Sequence, residues 1–190
     1  MGAVAALAAL VLTGAGSGSV REQEPEQQPG PVGGFTLDDA RAFDDYALFF
    51  AGDRVEGHPL VAVLRRSDTA EFVSFVYGDC VTADDLGCAP PIEIQIWPAC
   101  RRHLALYGLS GLGSTLERTT VRGVPAAVLD DGTRLELQTG RSTIVVFADS
   151  RVRSARVAGA LRRLDGADSA PRNQPLLPPA AGALEGTLAC

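Results

Sequence analysis

Four cysteines (Cys80, Cys88, Cys100 and Cys190), two histidines (His58 and His103) and no lysine bound the chemistry open to this 190-residue chain. Without lysine there is no phosphate-loop lysine, no Schiff base and no Ser–Lys dyad. Cys80 and Cys88 bracket an acidic loop, GDCVTADDLGC, with seven residues between them. Structural zinc sites pair their ligands more tightly, as C-x2-4-C. A redox C-x-x-C is absent, and Asp79, Asp84 and Asp85 match no calcium-loop spacing. The pair therefore reads as a disulfide, Cys80–Cys88, stapling its loop by roughly 2.5 kcal/mol in the chain-entropy view. Cys190 can reach Cys100, pair with another chain or stay free, and the sequence does not choose. A metal reading would join Cys100 to His103 as C-x-x-H. No metal site and no cofactor is expected.

Nucleophilic catalysis finds little to build on. His58 precedes Pro59 at a strand start, and His103 follows WPACRR. Either can serve as a base for Ser74, Ser110 or Cys100, but no spacing brings them together. YGLSGLGST comes near the nucleophile elbow G-x-S-x-G, with Gly108 and Ser110, and then places Leu112 where the second glycine belongs. The acid pairs Asp44-Asp45, Asp84-Asp85 and Asp130-Asp131 fall in turns or on a solvent face, and Glu93 and Glu136 on exposed strand faces. The richest surface is IWPACRR. Trp97, Arg101 and Arg102 there can stack on a ligand and form bidentate hydrogen bonds with it. The competing reading makes Trp97 a core residue.

The elements that must position these residues are legible. Residues 1–19 are apolar and uncharged, with a stretch from Ala3 to Leu12 of signal-peptide length and small residues around Ala15 for cleavage. They read as a signal peptide or membrane anchor. Residues 20–34 are polar and rich in Pro and Gly, a flexible linker. Residues 35–165 make one domain. Thr36 caps a helix with Asp39 as its partner, and Leu37, Ala40, Phe43 and Ala47 form one apolar stripe. Strands follow over Pro59–Arg65, Glu71–Gly78 and Ile92–Trp97, with Ile92, Ile94 and Ile96 inward and Glu93 and Gln95 in water. Asp131-Gly132 and Thr139-Gly140 mark turns between three further strands, in which Leu135 and Leu137 alternate with Glu136 and Gln138. A helix opens at Ser150 or Asp149 with Val152, Ala155, Val157, Ala160 and Leu161 on its apolar side. The motif V-x-G-x-P occurs twice, at Val55–Pro59 and Val121–Pro125. The expected fold is α+β: a curved antiparallel sheet of about six to eight strands with two helices on one face, flanked by flexible tails. Residues 166–190, rich in Pro, Ala and Gly, are expected to be a disordered tail.

The run from Thr120 to Leu164 carries Val121, Gly123, Ala126, Leu135, Leu137, Thr139, Gly140, Val145, Val146 and Leu161 in a pattern that resembles uncharacterised bacterial envelope domains of α+β fold. The resemblance covers about a quarter of the chain. It implies an extracytoplasmic module without catalysis; the lipoprotein cysteine of some such domains is missing here.

The net charge of −6 argues against nucleic acid and anionic lipid as partners. The reading is an exported or membrane-tethered bacterial protein, a non-catalytic binding or envelope-sensing module. It is secreted or anchored, meets the membrane only through its N-terminal segment, and has an unidentified protein or small envelope ligand as partner. The alternative is a small secreted hydrolase using Ser110 or Cys100 with His103.

Overall fold

A computed structural model describes residues 34–67, 70–80, 89–104, 106, 116–164 and 174–190. The expected signal segment and most of the linker lie outside this range, as do Cys88 and Ser110. Among the described residues no helix is long and apolar enough to cross a membrane.

The chain runs through α1 (Leu37–Arg41), β1 (Phe49–Phe50), β2 (Arg54–Val55), β3 (His58–Arg66), β4 (Phe72–Tyr77) and β5 (Ile92–Pro98). It continues with β6 (Glu117–Val121), β7 (Val124–Leu129), β8 (Arg134–Thr139), β9 (Ser142–Ala148), α2 (Arg151–Ala160) and β10 (Arg162–Arg163). Eight strands form one antiparallel sheet in the order β2-β3-β4-β5-β9-β8-β7-β6. The first half of the domain is thus one meander and the second half another. They meet where β5 pairs with β9, from Ile92 opposite Ala148 to Pro98 opposite Ser142.

The repeated V-x-G-x-P motif marks the corresponding hairpin of each half. Glu56 and Gly57 turn β2 into β3 with φ of 47° and 86°, and Arg122 and Gly123 turn β6 into β7 with φ of 52° and 83°. Both are two-residue turns with both central residues left-handed, the geometry that matches strand twist. They lie at opposite edges of the sheet.

One face of the sheet carries the main core. Phe75, Tyr77, Ile92, Ile94, Ile96, Leu137 and Ile144 are fully or almost fully buried there, in one cluster with Ala40 of α1 and Val157 and Ala158 of α2. Burial raises the pKa of both Tyr46 and Tyr77, so each phenol stays protonated. Tyr46 donates to Ile96 O at 3.3 Å, and the Tyr77 hydroxyl accepts from Ala51 N at 2.9 Å.

Several expectations are corrected. The capping box of Thr36 and Asp39 forms, but α1 ends at Arg41. Phe43 and Ala47 pack on the core from irregular chain instead. The buried stripe of α2 is Ser154, Val157 and Ala158, while Val152 is 60% exposed. The Ser154 hydroxyl reaches Gly132 O at 2.9 Å, and a side chain at Gly132 would collide with Arg151. Small residues at this crossing let the helix come close, and this contact sets its rotation. Asp130–Gly132 forms a short 3-10 turn rather than a tight two-residue hairpin. Glu136 and Gln138, expected in water, are 0% exposed.

The C-terminal stretch also departs from expectation. Over 174–190 it is not a disordered tail but is packed along the β8–β9 end of the sheet. Pro179 bridges to Gly140, Ala180 N donates to Gly140 O at 2.7 Å, and Thr139 Oγ1 donates to Leu177 O at 2.8 Å. Ala183 is completely buried. Cys190 forms a disulfide with Cys100 across 90 positions of sequence. Composition argued for disorder because the stretch has little to bury by itself. The disulfide and the unmet backbone groups of the β8–β9 turn supply what it lacks.

Candidate functional site

The face of the sheet opposite the main core is built from the polar positions of the central strands. The strand registers align them in rows. Trp97 stands opposite Thr143, and Thr143 opposite Gln138. Phe72 extends the row, its ring stacked on Trp97 with centroids 4.5 Å apart. The next row runs Ser74, Gln95, Val145, Glu136.

Hydrogen bonds tie the rows together. Ser74 Oγ donates to Glu93 Oε1 at 2.6 Å, Gln95 Nε2 donates to the same oxygen at 2.9 Å, and Trp97 Nε1 donates to Gln95 Oε1 at 3.1 Å. This ladder holds the indole in one orientation. The chain then leaves β5 through Pro98 and turns, with Arg101 N and Arg102 N both donating to Pro98 O. That turn carries Arg102 back across the polar face. Its guanidinium lies 5.0 Å from the Trp97 ring centre and donates twice to Glu136, at 3.1 and 2.5 Å. Thr143 Oγ1 holds the Arg102 carbonyl at 2.5 Å. Arg134 reaches the same carboxylate at 3.6 Å. The Glu136 carboxylate is wholly buried, whereas the Arg102 side chain keeps 20% of its surface. Arg134 also meets Asp130, at 3.3 Å, so the Arg102–Glu136 pair stands in a charge-balanced network beside a half-exposed tryptophan.

Of the residues singled out from sequence, Trp97 and Arg102 are brought together. Arg101 is exposed beside them on the turn. Cys80 is buried and disulfide-bonded; its expected partner, Cys88, lies outside the described residues. Cys100 is bonded to Cys190, so its sulfur is neither a free nucleophile nor a thiolate ligand, and the Cys100 forms of both the hydrolase and the metal reading are lost. Ser74 faces Glu93 and not a histidine. His58 begins β3 at the β2–β3 turn. His103 lies under Gly186, with Nδ1 buried and unpartnered among the described residues.

The chain matches no protein-family model, and comparison with curated proteins and with solved structures finds no match.

The structure adds Phe72, Glu93 and Gln95 to this face and lays Glu136 and Gln138 buried beneath the turn that covers it. One signal for them was present. IEIQIW in β5 and LELQT in β8 repeat the same Glu-x-Gln alternation. Two strands with matched polar faces imply a built polar face between them when they lie close in the sheet. Their closeness was the missing fact: a single strand, β9, separates them.

Proposed function

We propose that this protein is an exported or membrane-tethered bacterial envelope protein whose domain binds a partner without catalysis. The observation that carries the reading is the Phe72–Trp97–Arg102 surface. An aromatic pair with a guanidinium over it, oriented by hydrogen bonds and backed by a buried carboxylate, is the composition of a binding hot spot. Its rigidity lowers the entropic cost of association. A protein segment or small envelope ligand with an acidic group beside an apolar one fits best, since Arg102 lies over the indole and Arg101 is exposed on the same turn. The acidic chain as a whole disfavours nucleic acid.

Export is supported by the Cys100–Cys190 disulfide, a bond typical of oxidising compartments, and by the apolar N-terminal segment. The resemblance of the second half to bacterial envelope domains points the same way. In this reading Cys80 pairs with Cys88 as a loop staple, and both helices lie on the isoleucine face of a curved sheet.

A non-reducing peptide mass map of the protein from its own cells tests the location. A mature chain beginning near Gly16, with Cys100 linked to Cys190 and Cys80 to Cys88, is expected. A chain that keeps Met1 and four free thiols would sink export. Binding is tested by capture from envelope extract, with Trp97→Ala expected to lose the partner that the natural chain retains. Equal retention by the variant removes this surface from the function.

A further inference from the structure

We propose that the Cys100–Cys190 disulfide is a thiol–disulfide exchange site, opened by a dithiol reductant, and that opening it releases residues 174–190 as a strap from the edge of the Trp97 surface.

The strap contains no helix and no strand beyond the single Pro179 bridge. Its attachments are separate hydrogen bonds: Arg122 Nε to Gln174 O, Leu176 N to Arg122 O, Thr139 Oγ1 to Leu177 O, Gly140 N to Pro178 O, Ala180 N to Gly140 O, Gln138 Nε2 to Ala183 O and Arg141 Nη2 to Ala189 O. Ala183 is its one fully buried apolar residue, and Leu176 packs partly against the main core. A segment with so little apolar burial belongs to the low-stability end of a fold. The disulfide holds down its 183–190 end by cross-linking it to the turn that carries Arg102. The residues of the two bonds differ in the required sense: Cys190 is exposed and Cys100 half-buried, whereas disulfide-bonded Cys80 is buried. Exchange needs a thiolate to reach one sulfur along the bond axis, so access selects Cys190.

The step balances. A thiolate of the reductant attacks Cys190 Sγ, and Cys100 Sγ leaves with the bonding electron pair and takes a proton. The second thiol of the reductant then attacks its own sulfur in the mixed disulfide, freeing the Cys190 thiol. The reductant is oxidised to a disulfide by two electrons, and the protein gains two thiols.

Release would free Gln138 Nε2, Thr139 Oγ1 and the Gly140 N–H at the end of the row that begins with Phe72 and Trp97. It would also uncover the His103 ring now beneath Gly186. The strap therefore limits the polar face on one side. The consequence for binding rests on the function proposed above; the release itself does not.

The test is amide exchange by mass spectrometry on the native full chain, with and without dithiothreitol, beside a peptide map of the thiols. The expected result is opening of Cys100–Cys190 while Cys80 stays oxidised. Exchange at Ala180, Thr187 and Leu188 should then rise about tenfold or more, with the β5 and β9 amides unchanged. Cys190→Ser should show the same loosened strap without reductant. The proposal is overturned if the strap amides keep their protection once the bond is open, or if Cys190→Ser is as protected as the natural chain. It is equally overturned if the bond opens only together with loss of protection in β5 and β9. No partner enters the measurement, so failure of the binding reading leaves its outcome legible.

Discussion

β5 and β8 carry the same alternation, Glu93-x-Gln95 and Glu136-x-Gln138, on the same face of one sheet, and their polar side chains have different fates. Glu93 and Gln95 remain half-exposed and bond to each other, to half-exposed Trp97 and to the buried Ser74 hydroxyl. Glu136 and Gln138 are completely buried. What separates them is the chain laid on top. The turn after β5 brings Arg102 and Leu104 over β8, where Gln138 Oε1 accepts from Leu104 N and Gln138 Nε2 donates to Ala183 O. Leu104 also packs with Ala127, Leu129 and Leu116 in a small second cluster on this face. A polar strand position is therefore solvent-facing only until another segment finds a use for it. Once covered, its hydrogen bonds become obligatory.

That comparison can be broken by mutation. Glu136→Ala removes the buried carboxylate that takes two hydrogen bonds from Arg102, while Arg134 keeps Asp130, and should cost about 2–3 kcal/mol. Glu93→Ala leaves half-exposed Gln95 to water and only the buried Ser74 hydroxyl without its partner, and should cost about 1 kcal/mol. Urea denaturation with an unchanged slope measures both, and equal costs would show that burial does not separate the strands. Gln138→Leu orphans Leu104 N and the Ala183 carbonyl and should cost about 2–3 kcal/mol, against less than about 1 kcal/mol for Gln95→Leu.

The paired hairpins sharpen the same point. Arg122 and Glu56 occupy equivalent turn positions with nearly equal backbone angles. Arg122 donates to Leu161 O at 2.5 Å, to Ala158 O at 3.4 Å and to Gln174 O at 2.8 Å, capping the carbonyl end of α2. Burial pulls its pKa below the ordinary arginine value, yet a guanidinium stays charged there and complements the helix dipole. Among the described residues Glu56 is bonded through its side chain to Arg156, at 3.3 Å. Arg122→Ala should destabilise by about 2 kcal/mol, and Glu56→Ala by less than about 0.5 kcal/mol. At the next position the two turns should behave alike. Gly57 and Gly123 both hold φ above 80° with open space around them. Alanine at either should cost about 1 kcal/mol through backbone strain alone. A clear difference between the two glycine variants in thermal melting would mean that the hairpins are not equivalent.

Local patterns were enough to place β3, β4, β5, β7, β8 and β9 and the Thr36 and Ser150 caps. Caps depend on side chains within three residues, and turns depend on glycine where φ is positive. The alternation of Ile92, Ile94 and Ile96 named the core face without any partner strand, because period-two burial is a property of a strand itself. The rotation of α2 was different. Its apolar side by sequence included Val152, but the contact with Gly132 favoured Ser154 and Ala158, which are small enough for close approach.

The cysteines divide along the same line. Cys80 could be judged as part of a disulfide from its neighbourhood, and it is disulfide-bonded. Cys100 and Cys190 could not be joined from sequence, because chain separated by 90 positions meets only after the sheet has formed. Composition alone made 174–190 a tail, since composition counts apolar surface and does not see the unpaired groups of Thr139 and Gly140 waiting for it.

The sequence by itself determined the α+β class, the helix caps, the isoleucine core and the absence of lysine chemistry. Each of these follows from residues close together in the chain. Only the tertiary structure decided that β5 meets β9, that Arg102 crosses onto Glu136, and that the C-terminal segment closes the polar face. Those depend on which distant segment lies over which strand, and side-chain periodicity is the same whichever segment does.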